Sequence, residues 1–156
     1  MRRSDREVTS LEQIKDILTR CDTIRIGISD EPAPFVVPVS FGLEEQDGVI
    51  RVYFHSALAG RKAELLKKKP LVCVEADLCH GFVESKGGVT CDFESVIGYG
   101  VAEQVEGMGK LRGLQLLLEH CGKEDYQCTP EVTAATAVYR IQLRDISGKR
   151  RFCAQT

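Results

Sequence analysis

The most constraining feature of this chain is a corner between a strand and a helix, in residues 52–66. An alternating strand runs into a polar turn there, and the helix that follows begins near Gly60, Arg61 and Lys62. Glycine lets the backbone approach a ligand, the N–H groups at a helix start point outward, and two adjacent cations add positive charge. The corner is therefore predicted to bind an anion, and a phosphate ester is the favoured ligand.

The alternative interpretation is an ordinary helix start whose cations face water. Arg61 and Lys62 would then oppose the helix dipole, because the N-terminal end of a helix is already positive. A bound anion would offset that repulsion. The guanidinium fork of Arg suits two phosphate oxygens at once, and Lys adds a point charge.

The length and composition are those of one globular domain. The 156 residues are 43% hydrophobic and 28% charged, which suffices for one core but not for two ordinary domains. We therefore expect a single domain over residues 1–156, with an N-terminal helical segment, 1–22, packed on it.

The charge pattern argues against several classes of function. A net charge of −2 is not that of a nucleic-acid-binding protein that works by bulk electrostatics. No apolar run approaches the roughly 20 residues that a membrane span requires. Residues 1–7 are too charged to continue into a signal peptide. A cytoplasmic location is expected.

Seven cysteines raise the question of a metal or redox site. Their number is odd, and no pair has the two-residue gap of a zinc knuckle or a thioredoxin-type motif. Cys79, His80 and Cys91 could supply three metal ligands. The simpler interpretation is reduced structural thiols, with Cys73 and Cys91 as small buried side chains in apolar strands. We expect no metal site.

Hydrophobic periodicity predicts three helices and six strands. The first helix has the form of a capping box, with Thr9 as the N-cap and Glu12 reaching back. The predicted helices are 9–20, 59–68 and 108–121. The predicted strands are 23–29, 35–43, 50–55, 71–76, 90–106 and 137–143.

Turn and breaker residues refine this pattern. A hairpin turn is predicted at Gln46–Gly48, and a loop or hairpin tip at Gly87 and Gly88. Pro38 cannot donate a backbone hydrogen bond, so its strand is either an edge or locally distorted. Glycines at 98 and 100 indicate a bend or bulge. Residues 148–151 are predicted to form a basic tail.

Strands outnumber helices and are joined mainly by hairpins. Long, alternating, glycine-bent strands are typical of an antiparallel barrel with a few helices packed outside. Five or six such strands would close a small barrel without an internal cavity. A ligand would then lie on the outside or between subunits.

Three blocks of sequence resemble a known family: Pro38-Val-Ser-Phe-Gly42, Tyr53-Phe-His-Ser-Ala57 with Gly60-Arg-Lys62, and Glu94-Ser-Val-Ile-Gly-Tyr-Gly100. They are similar to the FMN-binding split β-barrel proteins typified by pyridoxamine 5′-phosphate oxidase, most of all to the 5-nitroimidazole-resistance branch. The resemblance covers nearly the whole chain. It implies a mainly β (α+β) fold, an antiparallel split β-barrel with flanking helices.

The resemblance also implies a homodimer with two FMN sites at the subunit interface. Ser56, Arg61 and Lys62 would hold the FMN phosphate, and the ring would lie along residues 38–40. The third block adds further contacts to the flavin. The implied cofactor-binding residues are Pro38, Val39, Ser40, His55, Ser56, Ala57, Gly60, Arg61, Lys62, Ser95 and Val96.

His55 is the candidate catalytic residue. It matches a histidine that lies next to the flavin ring in this branch, and it shares the polar face of its strand with Arg51 and Tyr53. It could donate a proton to a reduced substrate, stack near the ring or orient a ligand. The alternative is a core or interface histidine bonded to a backbone carbonyl. His80 and His120 lack this context, and structural or surface roles are expected for both.

The implied function is that of an FMN-dependent reductase. FMN would take electrons from a reduced nicotinamide and pass them to a small organic acceptor such as a nitro-aromatic compound. No Gly-x-Gly-x-x-Gly segment is present, so the nicotinamide would bind transiently over the flavin. Alternatively, the same fold could bind FMN, or haem with His55 as an axial ligand, without turnover. A scaffold that has lost its cofactor is a third possibility.

Overall fold

The computed structural model describes residues 3–85 and 87–153. Within them the chain forms nine strands, four α-helices and a 3-10 turn at Ser4–Arg6. In chain order the elements are β1 (Glu7–Val8), α1 (Leu11–Arg20), β2 (Ile24–Ile28), β3 (Phe35–Val39), β4 (Gly42–Gln46), β5 (Val49–Ala57), α2 (Arg61–Lys68), β6 (Leu71–Ser85), β7 (Gly88–Val105), α3 (Gly107–His120), α4 (Pro130–Ala134), β8 (Thr136–Gln142) and β9 (Arg144–Arg151).

The strands form one sheet in which the pairings are antiparallel. Its main path runs β3-β2-β6-β7-β8-β5-β4. Two strands share one edge of β7, because β9 pairs with residues 93–99 and β8 with residues 102–105. The short β1 pairs with β9. The predicted class, a mainly antiparallel split-barrel fold with flanking helices, is confirmed. Over the described residues, however, no ladder joins β3 to β4, so the path does not close.

The strand predicted over residues 35–43 is two strands. β3 ends at Val39 and β4 begins at Gly42. β3 lies at the end of the strand order, paired with β2. Of the two alternatives predicted from Pro38, an edge strand or a local distortion, β3 is the edge strand, a position that suits a residue with no N–H to donate. The polypeptide leaves one edge strand and enters the strand at the opposite end of the path within two residues.

The β6–β7 hairpin is much longer than predicted. β6 continues past the predicted strand 71–76 to Ser85, and β7 begins at Gly88. The ladder shifts register near Gly81, whose φ is 122°. Polar residues interrupt the alternation over residues 77–85, so no strand was predicted there. Pairing with β7 keeps the segment extended.

The residues predicted as a basic tail, 148–151, lie in β9. This strand pairs with β7, and the register shifts between Ile97 and Tyr99. The bulge predicted around Gly98 is thereby confirmed. Pairing along the backbone tolerates lysine and arginine, because alternate side chains of β9 can reach solvent. The prediction of a tail was therefore wrong.

Helix α1 covers one side of the main core. Its N-cap is Ser10, whose Oγ accepts a hydrogen bond from the Gln13 N–H at 3.4 Å. The prediction of Thr9 as the cap is therefore wrong by one residue, since Ser10 immediately precedes the first helical residue. The predicted apolar face of α1 is buried against the sheet, through Ile14, Ile17 and Leu18.

Helix α3 lies directly on β4 and β5. A Cβ atom added to Gly42 would lie 2.6 Å from the backbone of Leu116, and one added to Gly113 would lie 2.7 Å from Val138. Both glycines therefore allow an approach that a larger residue would block. A second, smaller hydrophobic cluster forms at this contact, around Tyr53, Leu116 and Val138. None of the described helices is long and apolar enough to cross a membrane.

Candidate functional site

The corner after β5 has the open geometry that an anion site requires. Gly60 is the N-cap of α2 with φ 114°, and the cap has no side-chain hydrogen bond. No atom lies within 4 Å of the position where a Cβ of Gly60 would stand. The N–H groups of the first turn of α2 thus begin at an open surface.

Lys62 is a half-buried cation at this corner. Its Nζ donates to the backbone carbonyl of His55 at 3.4 Å and lies 5.5 Å from the centre of the Phe54 ring. Burial lowers the pKa of its ammonium group. Among the salt bridges of residues 3–85 and 87–153, none involves Lys62. A partly desolvated cation without a carboxylate partner favours a bound anion.

Arg61 is more exposed and is already paired. Its guanidinium donates to Oδ2 of Asp30 at 2.7 Å and lies 4.9 Å from the centre of the Phe35 ring. The bond from Arg61 is the largest cause of a lowered pKa for Asp30. These contacts join the start of α2 to the start of β3. An anion bound by Arg61 would have to share it with Asp30 or displace that carboxylate.

His55 lies at the mouth of a small apolar cavity. The cavity has a volume of about 200 Å³, and its polar walls include His55 and Ser40. The rest of its wall comes mainly from α3, α4 and the loop between them: Leu114, Leu117, Leu118, Cys121, Cys128, Val132 and Thr136. Burial, and then the charge of Lys62, lower the pKa of His55. The imidazole is therefore neutral at neutral pH.

The two faces of β5 carry different parts of the site. Phe54 and Ser56 are buried on the core face, whereas His55 and Ala57 are exposed on the other face. Because Lys62 lies over the Phe54 ring, it approaches β5 from the core side. The predicted phosphate residue Ser56 is therefore on the side of Lys62, and the predicted catalytic His55 projects the opposite way.

The residues predicted to lie along a flavin ring occupy edge strand β3 and its end. Pro38 is exposed, and Val39 and Ser40 are half-buried. Ser40 reaches the cavity beside His55, while Val39 packs against the main core. The contact of Arg61 with Phe35 places the same strand next to the anion corner. The start of β3 thus lies beside the anion corner, and Ser40, after its end, lies beside the His55 cavity.

Ser95 and Val96 lie elsewhere, in the middle of β7. There they pair with Asp77 and Ala76 of β6 on one side and with β9 on the other. The side chain of Val96 is buried in the main core, 2% exposed, so only its backbone could face a ligand. The structure does not group these two residues with His55 and Lys62.

Several residues of the site gave no clear signal in the sequence. Asp30 precedes a proline-rich turn and gave only a turn signal, and Phe35 gave only a strand signal. The apolar residues of α3 were recognised as a helix face, but nothing indicated that part of this face borders His55.

A larger cavity, of about 580 Å³, lies along α2 between Leu58 and Pro70.

The remaining histidines have structural contacts. His120 places Nε2 2.8 Å from the carbonyl oxygen of Cys21, and its ring packs on Phe41. His80 places Nε2 2.9 Å from Oε2 of Glu94, away from the proposed grouping with Cys79 and Cys91. In the part of the chain that the structure describes, no three His, Cys, Asp or Glu side chains are arranged to hold a metal ion.

Comparison with known proteins identifies the family. The family model described as pyridoxamine 5′-phosphate oxidase matches residues 10–150. No curated protein sequence matches the chain.

Solved structures with the same fold include the following three. A candidate 5-nitroimidazole antibiotic resistance protein from Bacteroides thetaiotaomicron is 28% identical, with a TM-score of 0.81, over 92% of this chain and 85% of that one. The flavocytochrome Anf3 from Azotobacter vinelandii is 25% identical, with a TM-score of 0.83, over 98% of this chain and 72% of that one. An FAD and heme binding protein from Mycobacterium smegmatis, 18% identical, has the same fold with a TM-score of 0.79, over 97% of this chain and 76% of that one. Together with the match to the family model, the fold and the strand-to-helix corner show that this chain belongs to the pyridoxamine 5′-phosphate oxidase family.

Proposed function

We propose that this protein binds FMN and reduces small organic acceptors, such as nitro-aromatic compounds, with a reduced nicotinamide as the electron donor. The observation that carries the proposal is Lys62, a half-buried ammonium group beside an uncapped helix start, with no carboxylate in salt-bridge contact among the described residues. A phosphate ester would supply the missing negative charge. Membership of the family, and similarity to a flavocytochrome and to a candidate 5-nitroimidazole resistance protein, support a flavin as the molecule that carries this phosphate.

The residues at the corner fit the phosphate end of FMN. Lys62 would bind a phosphate oxygen, the first-turn N–H groups of α2 would donate to others, and Arg61 would turn from Asp30 to the phosphate. The edge strand β3, which Arg61 already contacts through Phe35, offers Pro38 and its neighbours to the ring. When bound, a flavin supplies electron transfer between donor and acceptor, which no side chain here could supply.

The cavity beside His55 would receive the acceptor. Its wall is mostly leucine, valine and cysteine, which suits an apolar ring rather than a charged metabolite. His55 would donate a hydrogen bond to a polar substituent from one ring nitrogen, since its lowered pKa keeps the imidazole neutral. Ser40, on the same wall, would fix the orientation of that substituent.

The second part of the proposal is a homodimer. One face of the sheet is apolar and exposed around β6 and β7, where Leu71 pairs with Val101 and Cys73 pairs with Tyr99. Contiguous exposed apolar surface of this kind is typical of an interface. A second copy of the chain would cover it, in keeping with the subunit arrangement that the family resemblance implies. The cofactor sites would then lie at the boundary between subunits.

A second candidate function is cofactor binding without turnover. Two of the similar structures are those of a flavocytochrome and of an FAD and heme binding protein. The lowered pKa of His55 keeps its imidazole neutral, and a neutral imidazole nitrogen could bind haem iron. A storage or sensing protein of this kind would bind its cofactor through the same corner but would not pass electrons to an acceptor.

The first test is the absorbance spectrum of the purified protein, followed by titration with FMN. Lys62→Ala should weaken FMN binding about 10- to 100-fold, because a charge-assisted hydrogen bond contributes about 1.5–3 kcal/mol. Lys68→Ala, at the exposed far end of the same helix, is the matched control and should bind FMN like the wild type. Equal affinity for all three proteins would place the phosphate elsewhere, and a haem band in place of flavin bands would favour the second candidate.

Turnover separates the two candidate functions. Reduction of the bound flavin by NADH or NADPH, followed by reoxidation with a nitro-aromatic acceptor under anaerobic conditions, is the expected result. His55→Ala should retain FMN while the rate of the second half-reaction falls. A flavin that is bound but not reoxidised by any acceptor would overturn the reductase proposal and leave the binding function.

A further inference from the structure

Two thiols meet on the long β6–β7 hairpin, away from the candidate site. The Sγ atoms of Cys79 and Cys91 are 3.4 Å apart. Cys79 pairs with Phe93 across the ladder. Cys91 precedes Phe93 by two residues, so both cysteines lie on the same face of the hairpin. They are diagonal neighbours across the two strands.

The diagonal pair lies next to an irregularity in the hairpin. In a regular antiparallel ladder the residues of a diagonal pair are about 7–8 Å apart, a separation that side chains directed towards each other can span. Here the register shifts between Cys79 and Gly81, and Gly81 has φ 122°, a backbone conformation that favours glycine. The extra residue, His80, turns its ring towards Glu94 at 2.9 Å. The two sulfurs beside this bulge are at van der Waals distance.

The two cysteines differ in exposure and in hydrogen bonding. Cys79 is exposed and Cys91 is half-buried, while Cys21 is buried in the core. The contact with Cys79 is the largest cause of a raised pKa for Cys91. The Cys91 thiol also donates to the backbone carbonyl of Asp92 at 3.3 Å. Cys79 is the more accessible sulfur, with a second thiol in reach.

We propose that Cys79 and Cys91 form a peroxide-oxidisable dithiol that closes to a disulfide. The Cys79 thiolate attacks one oxygen of the peroxide, the O–O bond breaks, and the other oxygen leaves as water or an alcohol. The resulting sulfenic acid is attacked by the Cys91 sulfur, the S–S bond forms and water leaves. Two thiols and one peroxide thus become one disulfide, one alcohol or water, and one further water.

The geometry requires little movement for this closure. A disulfide has an S–S bond of about 2.05 Å, so sulfurs now 3.4 Å apart approach each other by roughly 1.4 Å. Rotation of two side chains can supply that movement, because Cys79 is exposed and free to change rotamer. The cross-link would fix the hairpin beside His80. It requires no flavin, so it stands or falls independently of the proposed function.

A third cysteine near this hairpin could compete for formation of the disulfide. Cys153 lies near the same hairpin, where its N–H donates to Oδ1 of Asp92 at 2.9 Å and its Sγ accepts from Arg151 at 3.3 Å. Both contacts hold Cys153 in place beside Asp92, the residue that follows Cys91 in the chain. The proposal specifies Cys79 with Cys91, so a link from either residue to Cys153 would contradict it.

The test is thiol mapping on the full chain. The reduced protein is treated with a small excess of hydrogen peroxide, alkylated, digested and analysed by mass spectrometry. The expected product is a peptide pair joined through Cys79 and Cys91, which dithiothreitol separates again. Cys79→Ser and Cys91→Ser should each abolish it, whereas Cys121→Ser, an exposed thiol on another element, should not.

Three results would overturn the proposal. They are oxidation of Cys79 only to sulfinic acid in the wild type, a dominant link through Cys153, and no loss of alkylatable thiols at peroxide concentrations that oxidise free cysteine. The wild-type peptide map decides the matter by itself, so a variant that fails to fold does not leave the question open.

Discussion

The carboxylate of Glu94 is almost completely buried, with 3% of its side chain exposed. Its oxygens accept hydrogen bonds from Arg20 and Arg150, each at 2.7 Å, and one lies 2.9 Å from Nε2 of His80. Burial raises the pKa of Glu94, but the bonds from Arg20, His80 and Arg150 outweigh burial and lower it to about 2. A single charged residue therefore ties α1 to the β6–β7 hairpin and to β9.

We expect Glu94→Gln to destabilise the protein by about 2–4 kcal/mol at neutral pH, because the amide leaves the Arg150 guanidinium without its anion and removes one of the two carboxylates that bind Arg20. The wild type should lose this stabilisation as the pH falls from about 4.5, the usual value for Glu, towards about 2, since the folded pKa is the lower one. Urea unfolding at several pH values measures both effects.

Asp16→Asn is the control for this prediction. Asp16 also binds Arg20, at 2.8 Å, but it is exposed, so its loss should cost under about 1 kcal/mol. Equal destabilisation by the two substitutions would contradict the central role of Glu94.

The sequence predicted the residues of the site only where one local segment carried them. His55, Gly60 and Lys62 follow one another within eight positions, so a strand-to-helix pattern was enough to single them out. Asp30 and Glu94 were missed because their partners are distant in the chain: Arg61 lies 31 positions from Asp30, and Arg20 lies 74 positions from Glu94. Ion pairs between residues that are distant in the chain leave no periodicity to detect.

At the scale of elements, the packing of α3 depends on two glycines. Gly42 on β4 and Gly113 on α3 face the opposing element at distances that leave no room for a Cβ. The contact positions Leu114 and Leu117 beside the cavity at His55. Displacement of α3 would therefore change both the stability of the fold and the shape of the proposed acceptor cavity.

Gly42→Ala should lower the free energy of unfolding by about 1–3 kcal/mol, because the added methyl group meets the backbone of α3 rather than a flexible side chain. Thermal unfolding measures this effect. Gly88→Ala is the matched control, since no atom lies within 4 Å of its Cβ position, and it should unfold like the wild type. An unchanged Gly42→Ala protein would mean that α3 can move away from the sheet at little cost.

Elements were predicted well where an apolar stripe or an alternating pattern was long. Three helices and the cores of six strands were found in this way. The short helix Pro130–Ala134 and the strand Arg144–Arg151 were missed. The first is too short to show a periodicity, and the second is dominated by charged residues whose extended conformation comes from pairing with β7. For Arg144–Arg151, tertiary pairing rather than local preference therefore decides the structure.

At the scale of the whole molecule, the sequence predicted the fold class but not the number of strands or their order in the sheet. Glycine-bent, hairpin-linked strands indicated an antiparallel barrel. The division of one edge of β7 between β8 and β9 has no local signal, because both partners use ordinary backbone pairing. Closure was predicted from strand number alone, and the observed path ends in two separate edges.

The proposed dimer makes a prediction at this scale. Val101→Lys should weaken self-association at least about tenfold, because the charge would be buried without a partner. Sedimentation velocity over a range of concentrations measures the effect. Met108→Lys is the control, since Met108 is an apolar residue, 80% exposed, that lies on α3 instead. A Val101→Lys protein that folds and dimerises like the wild type would place the interface on another face.

The divided edge of β7 also matters while the chain is being made. Residues 93–99 find their partner on that edge only after the ribosome has added β9, Arg144–Arg151. Until then a nascent chain presents an unpaired strand edge, which can pair with other chains. Chaperone supply and the rate of translation should therefore affect the yield of folded protein, even where the final stability is unchanged.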